Sequence, residues 1–347
     1  MDGTAHRIGF SGRIAAGSPR GGRCRASMPE SPRRRNAAAC ESGHTLSRRP
    51  AARVRWRRDC PIITGHNASD GPTDCTMSDS VTPLFLDGPN GRLFALHFAA
   101  PQARAHIVYL PPFCEEMNRC RHLAAAQARR FAAAGYSCLL LDLYGTGDSE
   151  GELAQASWSA WHEDARAAVA WCRGRQDLPV FLWGLRLGAS LALDVIAATP
   201  RDFAGAILWQ PVTTGKTFFT QVLRARIAYL SGAGLPPETS DEIRARLAQG
   251  EQVEVAGYLL GGALAADIDA FKLDSLQGLD GVNVHWLQQT SRAAEGPGGA
   301  VQKVVQRLEE GGARVQVSLF QAPQLWQLSE RADGQPLLDA TARLELC

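Results

Sequence analysis

The sequence has no run of about 18 apolar residues, so no segment is built to cross a bilayer as a helix. It has no C-x-x-C pair. Its nine cysteines stand apart at 24, 40, 60, 75, 114, 120, 138, 172 and 347. The odd number and the wide spacing argue against a disulfide framework and a zinc site, and fit a reducing cytoplasm. No metal and no cofactor are expected. The last 62 residues hold no histidine, His285 being the last of eight. What is present is ordinary for a globular chain: 347 residues, 45% hydrophobic, 21% charged and 7% aromatic. That length suits two domains or one large α/β domain.

The charge is unevenly spread. Residues 1–76 hold 14 Arg, no Lys and 6 acidic residues, or +8; the other 271 hold 23 basic and 29 acidic residues, or −6. The first part, with Ser31-Pro-Arg-Arg-Arg35 and Arg53-Val-Arg-Trp-Arg-Arg58, has almost no apolar periodicity and is expected to be disordered. It lacks the apolar region of a signal peptide, also after Arg48-Arg49, which argues against export. An organellar transit peptide and a basic arm for nucleic acid both match its composition. The reading favoured is an upstream extension translated in error, with Met77 as the natural start, because organised pattern begins abruptly at Val81. The acidic body speaks against nucleic acid as a partner.

From there strand and helix patterns alternate. Residues 83–86 and 92–98 flank Asp87-Gly-Pro-Asn-Gly91, a hairpin signal. Short apolar runs at 105–110, 137–142, 179–183 and 204–209 read as buried parallel strands. Helices are predicted over 122–134, 158–173 and 188–198. The alternation predicts a doubly wound, mostly parallel sheet. Residues 216–275 break the rhythm with a helix over 217–230, a Gly-Ala-Gly-Leu-Pro-Pro loop and a second helix opened by the capping box Thr239-x-x-Glu242. They are expected to form a helical lid inserted between strands. The sheet resumes at 282–287 and 313–320 around a helix over 299–310.

One junction carries the chemical question. The strand ending at Trp183 runs into Gly184-Leu-Arg-Leu-Gly188 and then a helix. A sharp strand-to-helix turn with two glycines is the nucleophile elbow G-x-S-x-G of the α/β-hydrolase fold. Here the central residue is Arg186, whose guanidinium stays protonated and has no lone pair for attack. A formal G-x-S-x-G at Gly147-Asp-Ser-Glu-Gly151 lies on a loop and leads into no helix, so Ser149 is a weak candidate nucleophile. Ser190 falls inside the helix after Gly188. Among candidate bases, His285 alternates with Val284 and Trp286 within a strand, and His162 sits on a helix. The fold places its acid and its base after the late strands, where this chain has Gln288-Gln289 and Gln321-Ala-Pro-Gln-Leu-Trp326. Three triad positions are empty together, which argues for loss of Ser-His-Asp chemistry.

The loop Leu110-Pro-Pro-Phe-Cys-Glu-Glu-Met-Asn-Arg-Cys-Arg121 leaves its strand where oxyanion donors arise, so the N–H groups of Phe113 and Leu187 are expected above Arg186. Glu115, Glu116, Asn118 and Arg121, with Gln210 of the Leu208-Trp-Gln-Pro-Val212 block, are the candidate pocket residues. Arg186 is expected to pair with Glu115 or Glu116, since an unpaired buried guanidinium is costly. Its fork also suits a carboxylate or phosphate ligand, and the two are compatible if one Glu is engaged. Cys114 is a second weak nucleophile, disfavoured by the neighbouring acids.

Residues 77–347 resemble the α/β-hydrolase family called exosortase A system-associated hydrolase, type 2. The resemblance rests on Leu110-Pro-Pro-Phe with Glu115-Glu-Met-Asn118, Asp142-Leu-Tyr-Gly-Thr-Gly-Asp-Ser149, Trp183-Gly-Leu-Arg-Leu-Gly-Ala189 and Leu208-Trp-Gln-Pro-Val212. It implies a bacterial cytoplasmic accessory protein acting beside exosortase and exopolysaccharide proteins, with Arg at the elbow as part of the family pattern. Two function classes stay open: a binding protein for a small anionic or acyl ligand without triad chemistry, and an ester, thioester or acyl-transfer hydrolase with a displaced nucleophile.

Overall fold

Alternating side chains and a four-residue turn, residues 88–91, make the first element pair. Strands β1 (Val81–Asp87) and β2 (Arg92–Phe98) form an antiparallel hairpin in register Val81 with Phe98 through Asp87 with Arg92. The computed structural model describes residues 81–291, 296–327 and 333–346. The Arg-rich leader expected over 1–76 lies outside the described residues.

After the hairpin come β3 (Ala105–Leu110), α1 (Glu115–Ala133), β4 (Tyr136–Leu141), α2 (Trp158–Arg175), β5 (Val180–Leu185), α3 (Leu187–Ala198) and β6 (Gly205–Trp209). Every residue of β3, β5 and β6 is buried, as continuous apolar runs in a sheet covered on both faces should be. The Ser157 side chain accepts from the Ala160 N–H and caps α2. Helix α1 begins seven residues earlier than the sequence pattern indicated. Its N-cap is Cys114 at φ 51°, with no side-chain capping bond, so no Ser, Thr or Asp announces the start.

The insertion follows β6: α4 (Gly215–Gly232), α5 (Ser240–Ala248), the antiparallel pair β7 (Val253–Val255) and β8 (Tyr258–Leu260), and α6 (Gly262–Ala270). The capping box at Thr239 and Glu242 forms as expected. The small hairpin and α6 were not foreseen; three-residue strands carry too little alternation to read. The chain then re-enters the sheet with β9 (Asn283–Thr290), α7 (Gly299–Glu310) and β10 (Arg314–Gln321), and ends in the unforeseen α8 (Gln335–Ala342).

The large sheet has the order β1-β2-β4-β3-β5-β6-β9-β10, with β2 antiparallel to its neighbours and all strands from β4 to β10 parallel. Two apolar clusters cover its faces. One includes α2, α3 and the insertion; the other includes α1 and α8 around Trp183 and Trp209. Trp209 donates to Thr341 at 2.9 Å, which ties α8 to the central strands. Truncating either buried indole to Ala would cost about 3–5 kcal/mol. No helix among the described residues is long and apolar enough to cross a membrane.

Candidate functional site

The site is built where β5 turns into α3. Arg186 stands at the apex with φ 55° and ψ −120°. A side chain there costs on the order of 1–2 kcal/mol in backbone strain. The surroundings fix it: Arg186 N–H donates to the Trp209 carbonyl at 2.9 Å, and its own carbonyl accepts from Ala189. A Cβ on Gly184 would lie 2.3 Å from the Gly188 oxygen, and one on Gly188 would lie 2.3 Å from the carbonyl oxygens of Leu110 and Pro111. Only glycine fits either place, because every obstructing atom is backbone and not the end of a flexible side chain.

The guanidinium at the apex is enclosed. Its Nε donates to Glu116 Oε1 at 3.3 Å. Its central carbon lies 4.9 Å from the Trp326 ring centroid and 5.6 Å from that of Phe218. Such cation–π contacts are worth about 0.5–2 kcal/mol each. Trp326 comes from the loop after β10 and Phe218 from α4. The last strand therefore sends an indole over the apex, where an imidazole would stand in a triad. Burial raises the Glu116 carboxyl above its ordinary range, with Arg186 and more weakly Arg119 opposing that shift.

Glu115 goes elsewhere: it accepts from Tyr258 at 3.2 Å and Asn118 at 3.3 Å, and lies 3.6 Å from Arg119. Asn118 also donates to Tyr258 at 2.8 Å, so this trio clasps the insertion to α1. Arg121 donates to Asp142 at 2.8 Å, away from Arg186. Gln210, at φ 47°, accepts from the Gln289 N–H at 2.7 Å and links β6 to β9. Of the candidate pocket residues, the structure brings only Glu116 to Arg186. Phe113 and Leu187, the expected oxyanion pair, line one cavity with Cys114, Trp161, Gly188 and Leu191, but its volume is about 10 Å³. That is close to the limit for one water.

The candidate nucleophiles hold backbone. Ser149 donates to the Asp142 carbonyl at 2.6 Å and accepts from Phe94 N–H at 2.8 Å. Ser190 is fully buried and donates to the Val212 carbonyl at 2.8 Å. Cys114 keeps some exposure, but burial first, then Glu116 and Glu115, push its thiol well above the ordinary range. His285 lies in β9 near the start of the strand, and burial lowers its pKa. His162 meets Asp194 at 2.8 Å, and Trp158 donates to the same oxygen at 2.6 Å. Asp194 is eight residues past Arg186, two helical turns down α3. Gln288 accepts from Trp286 Nε1 at 3.0 Å, and Gln289 donates to the Ala322 carbonyl at 2.9 Å. Trp326, Phe218 and Tyr258 were missed from the sequence. Only Trp326 left a signal, by standing where the fold normally carries its base.

Sheet order, glycine-flanked turn and insertion together define an α/β-hydrolase fold. A family model described as Hydrolase_4, serine aminopeptidase S33, matches residues 101–294, more than half of the chain, and the chain belongs to that family. Quorum-quenching protein AidA of Acinetobacter baumannii is 36% identical over 94 residues, which span 26% of this chain and 31% of that relative. Among solved structures, DcsB in complex with its substrate analogue aligns with TM-score 0.52 and 15% identity over 76% of this chain and 97% of its own. Est1E from Butyrivibrio proteoclasticus with ferulic acid bound aligns with 0.50 and 13%, over 75% and 95%. The Pyrococcus furiosus esterase PF2001 aligns with 0.50 and 13%, over 78% and 92%. At these identities the structures show a common fold.

Proposed function

We propose that this chain is a cytoplasmic accessory protein of a bacterial exosortase and exopolysaccharide system, which keeps the hydrolase scaffold but runs no Ser-His-Asp chemistry. The observation that carries the reading is the guanidinium at the apex of the elbow, bonded to Glu116 and covered by Trp326 and Phe218. A charged donor without a lone pair replaces the nucleophile, and an indole replaces the base. The motif blocks around Glu116, Asp142 and Arg186 support the exosortase context by resemblance.

Arg186 is the proposed anchor for a small anionic or acyl ligand. Nε is its only nitrogen bonded among the described residues, so the two terminal nitrogens keep their donors. Glu116 Oε2 and Trp326 Nε1 are sealed without a partner among the described residues, and unmet polar atoms gathered at one place favour a small polar guest. The competing reading, a hydrolase with a displaced nucleophile, draws on the family and on Cys114, a second strained residue beside the elbow. The raised thiol pKa weighs against it.

The test is labelling with a serine-directed fluorophosphonate followed by intact mass. No adduct is expected. An adduct that disappears in Ser149→Ala or Cys114→Ala would overturn the proposal. Ligand screening by thermal shift with carboxylates, phosphates and acylated sugars, repeated on Arg186→Ala, then locates the guest: a shift lost in the variant supports binding at Arg186.

A further inference from the structure

A second cavity, of about 290 Å³, lies apart from the elbow, between α1 and the strands β2, β4 and β3. The sheet register explains its floor. Leu96 on β2 pairs with Leu140 on β4, which pairs with Tyr109 on β3, so the three side chains form one row on the face that α1 covers. The helix presents Met117, Arg121, Ala124 and Ala125 to the same space, at helical spacing. Two alanines opposite a leucine row leave the gap unfilled. Leu96 and Leu140 are only half buried there, although both lie inside the sheet.

The cavity also carries polar atoms that the fold does not use. Tyr109 is 4% exposed, and its hydroxyl makes no hydrogen bond among the described residues. Tyr109 is one of the residues that line the cavity. Asp142 spends Oδ2 on Arg121 at 2.8 Å and on the Asp148 N–H at 3.0 Å. Its Oδ1 makes no bond among the described residues, and the carboxylate lines the cavity wall. A buried phenol with no partner is costly unless something fills the space beside it.

We infer that this cavity is a binding site for a small, uncharged, mainly apolar molecule bearing one hydroxyl group. The apolar part lies on Leu96, Leu140 and the alanines. The hydroxyl donates to Asp142 and accepts from Tyr109, since Arg121 is already committed to Asp142. A carboxylate is disfavoured, because Asp142 already occupies the polar end. The site is independent of Arg186 and of the reading given above for the elbow.

The experiment is isothermal titration of the full chain with 4-ethylphenol up to about 5 mM, a range that reports weak fragment affinity. Saturable binding of one molecule per chain is expected. Tyr109→Phe should weaken it about fivefold, the worth of one hydrogen bond, with no loss of melting temperature. Ala125→Leu, which keeps a good helix former and fills the gap, should weaken it more than tenfold. The ether 4-ethylanisole, which lacks the donor, should bind about tenfold more weakly than the phenol. Absence of saturable binding to the wild-type chain would overturn the inference, and so would unchanged affinity in Ala125→Leu, in Tyr109→Phe or for the ether.

Discussion

Replacing Arg186 with Met removes the charge at the apex and keeps most of the volume. The side chains of Arg186 and Glu116 retain only 12% and 18% exposure, so the substitution strands a carboxylate in a dry place. Breaking a fully buried pair from one side costs about 3–5 kcal/mol. The pair here has one hydrogen bond of 3.3 Å and slight solvent contact, so a loss of about 2–3 kcal/mol is expected at neutral pH. For a domain of this size that is roughly a 5–10 °C drop in melting temperature. The pH dependence identifies the cause. Glu116 has a folded pKa already raised by burial, with Arg186 opposing the rise. A raised folded pKa means the group's stabilising contribution is complete below the unfolded pKa and lost as pH rises through the folded one. Without Arg186 the pKa rises further, so the deficit against wild type should grow from pH 5 to pH 8. In Arg186→Met with Glu116→Gln no carboxylate remains, and most of the loss should return. The assay is differential scanning fluorimetry of the three proteins from pH 5 to pH 8. A deficit independent of pH, or a double variant no better than the single one, would refute the argument that Arg186 exists to neutralise Glu116.

Other outcomes follow from the same geometry. Gly188→Ala drives a Cβ to 2.3 Å from two carbonyl oxygens, so a loss of about 3 kcal/mol or more is expected in urea unfolding. Ser149→Ala removes two bonds to backbone and should cost about 1–3 kcal/mol in the same assay, without changing any ester turnover. Cys114, with its thiol pushed well above the ordinary range, should resist iodoacetamide at pH 7.5 in the folded protein and react once unfolded, as read by peptide mass.

The centre of the sheet was legible because β3, β5 and β6 are fully buried and read as apolar runs, 105–110 coinciding with β3; the helix expected over 299–310 coincides with α7. The hairpin was legible from Asp87-Gly-Pro-Asn-Gly91. Helix α1 was read late because its N-cap is a cysteine held at positive φ by the loop, a tertiary effect with no local signature. The elbow was visible as two glycines around Arg186, since glycine is required there by steric contact with backbone. The partners of Arg186 were legible only in part. Glu116 lies in the first turn of α1, on the segment that follows β3 and was read from the sequence as an oxyanion loop. Phe218 and Trp326 reach the apex from an insertion and from beyond the last strand, and no spacing rule joins positions so far apart. Arg121 and Gln210 were placed near the pocket by their neighbours in sequence; their side chains are engaged by Asp142 and by the Gln289 N–H, and neither bonds to Arg186.

Whether the apex of the turn can act as a nucleophile is read out by pre-steady-state hydrolysis of 4-nitrophenyl acetate and butyrate. Acyl transfer to a triad nucleophile releases one equivalent of nitrophenolate per chain in a burst before steady turnover. No burst is expected, with rates in the wild type, Ser149→Ala and Arg186→Ser all at the level of buffer and bystander side chains. A burst of one equivalent in the wild type, or one created by Arg186→Ser, would show that a competent base lies beside the apex and would contradict the loss of triad chemistry.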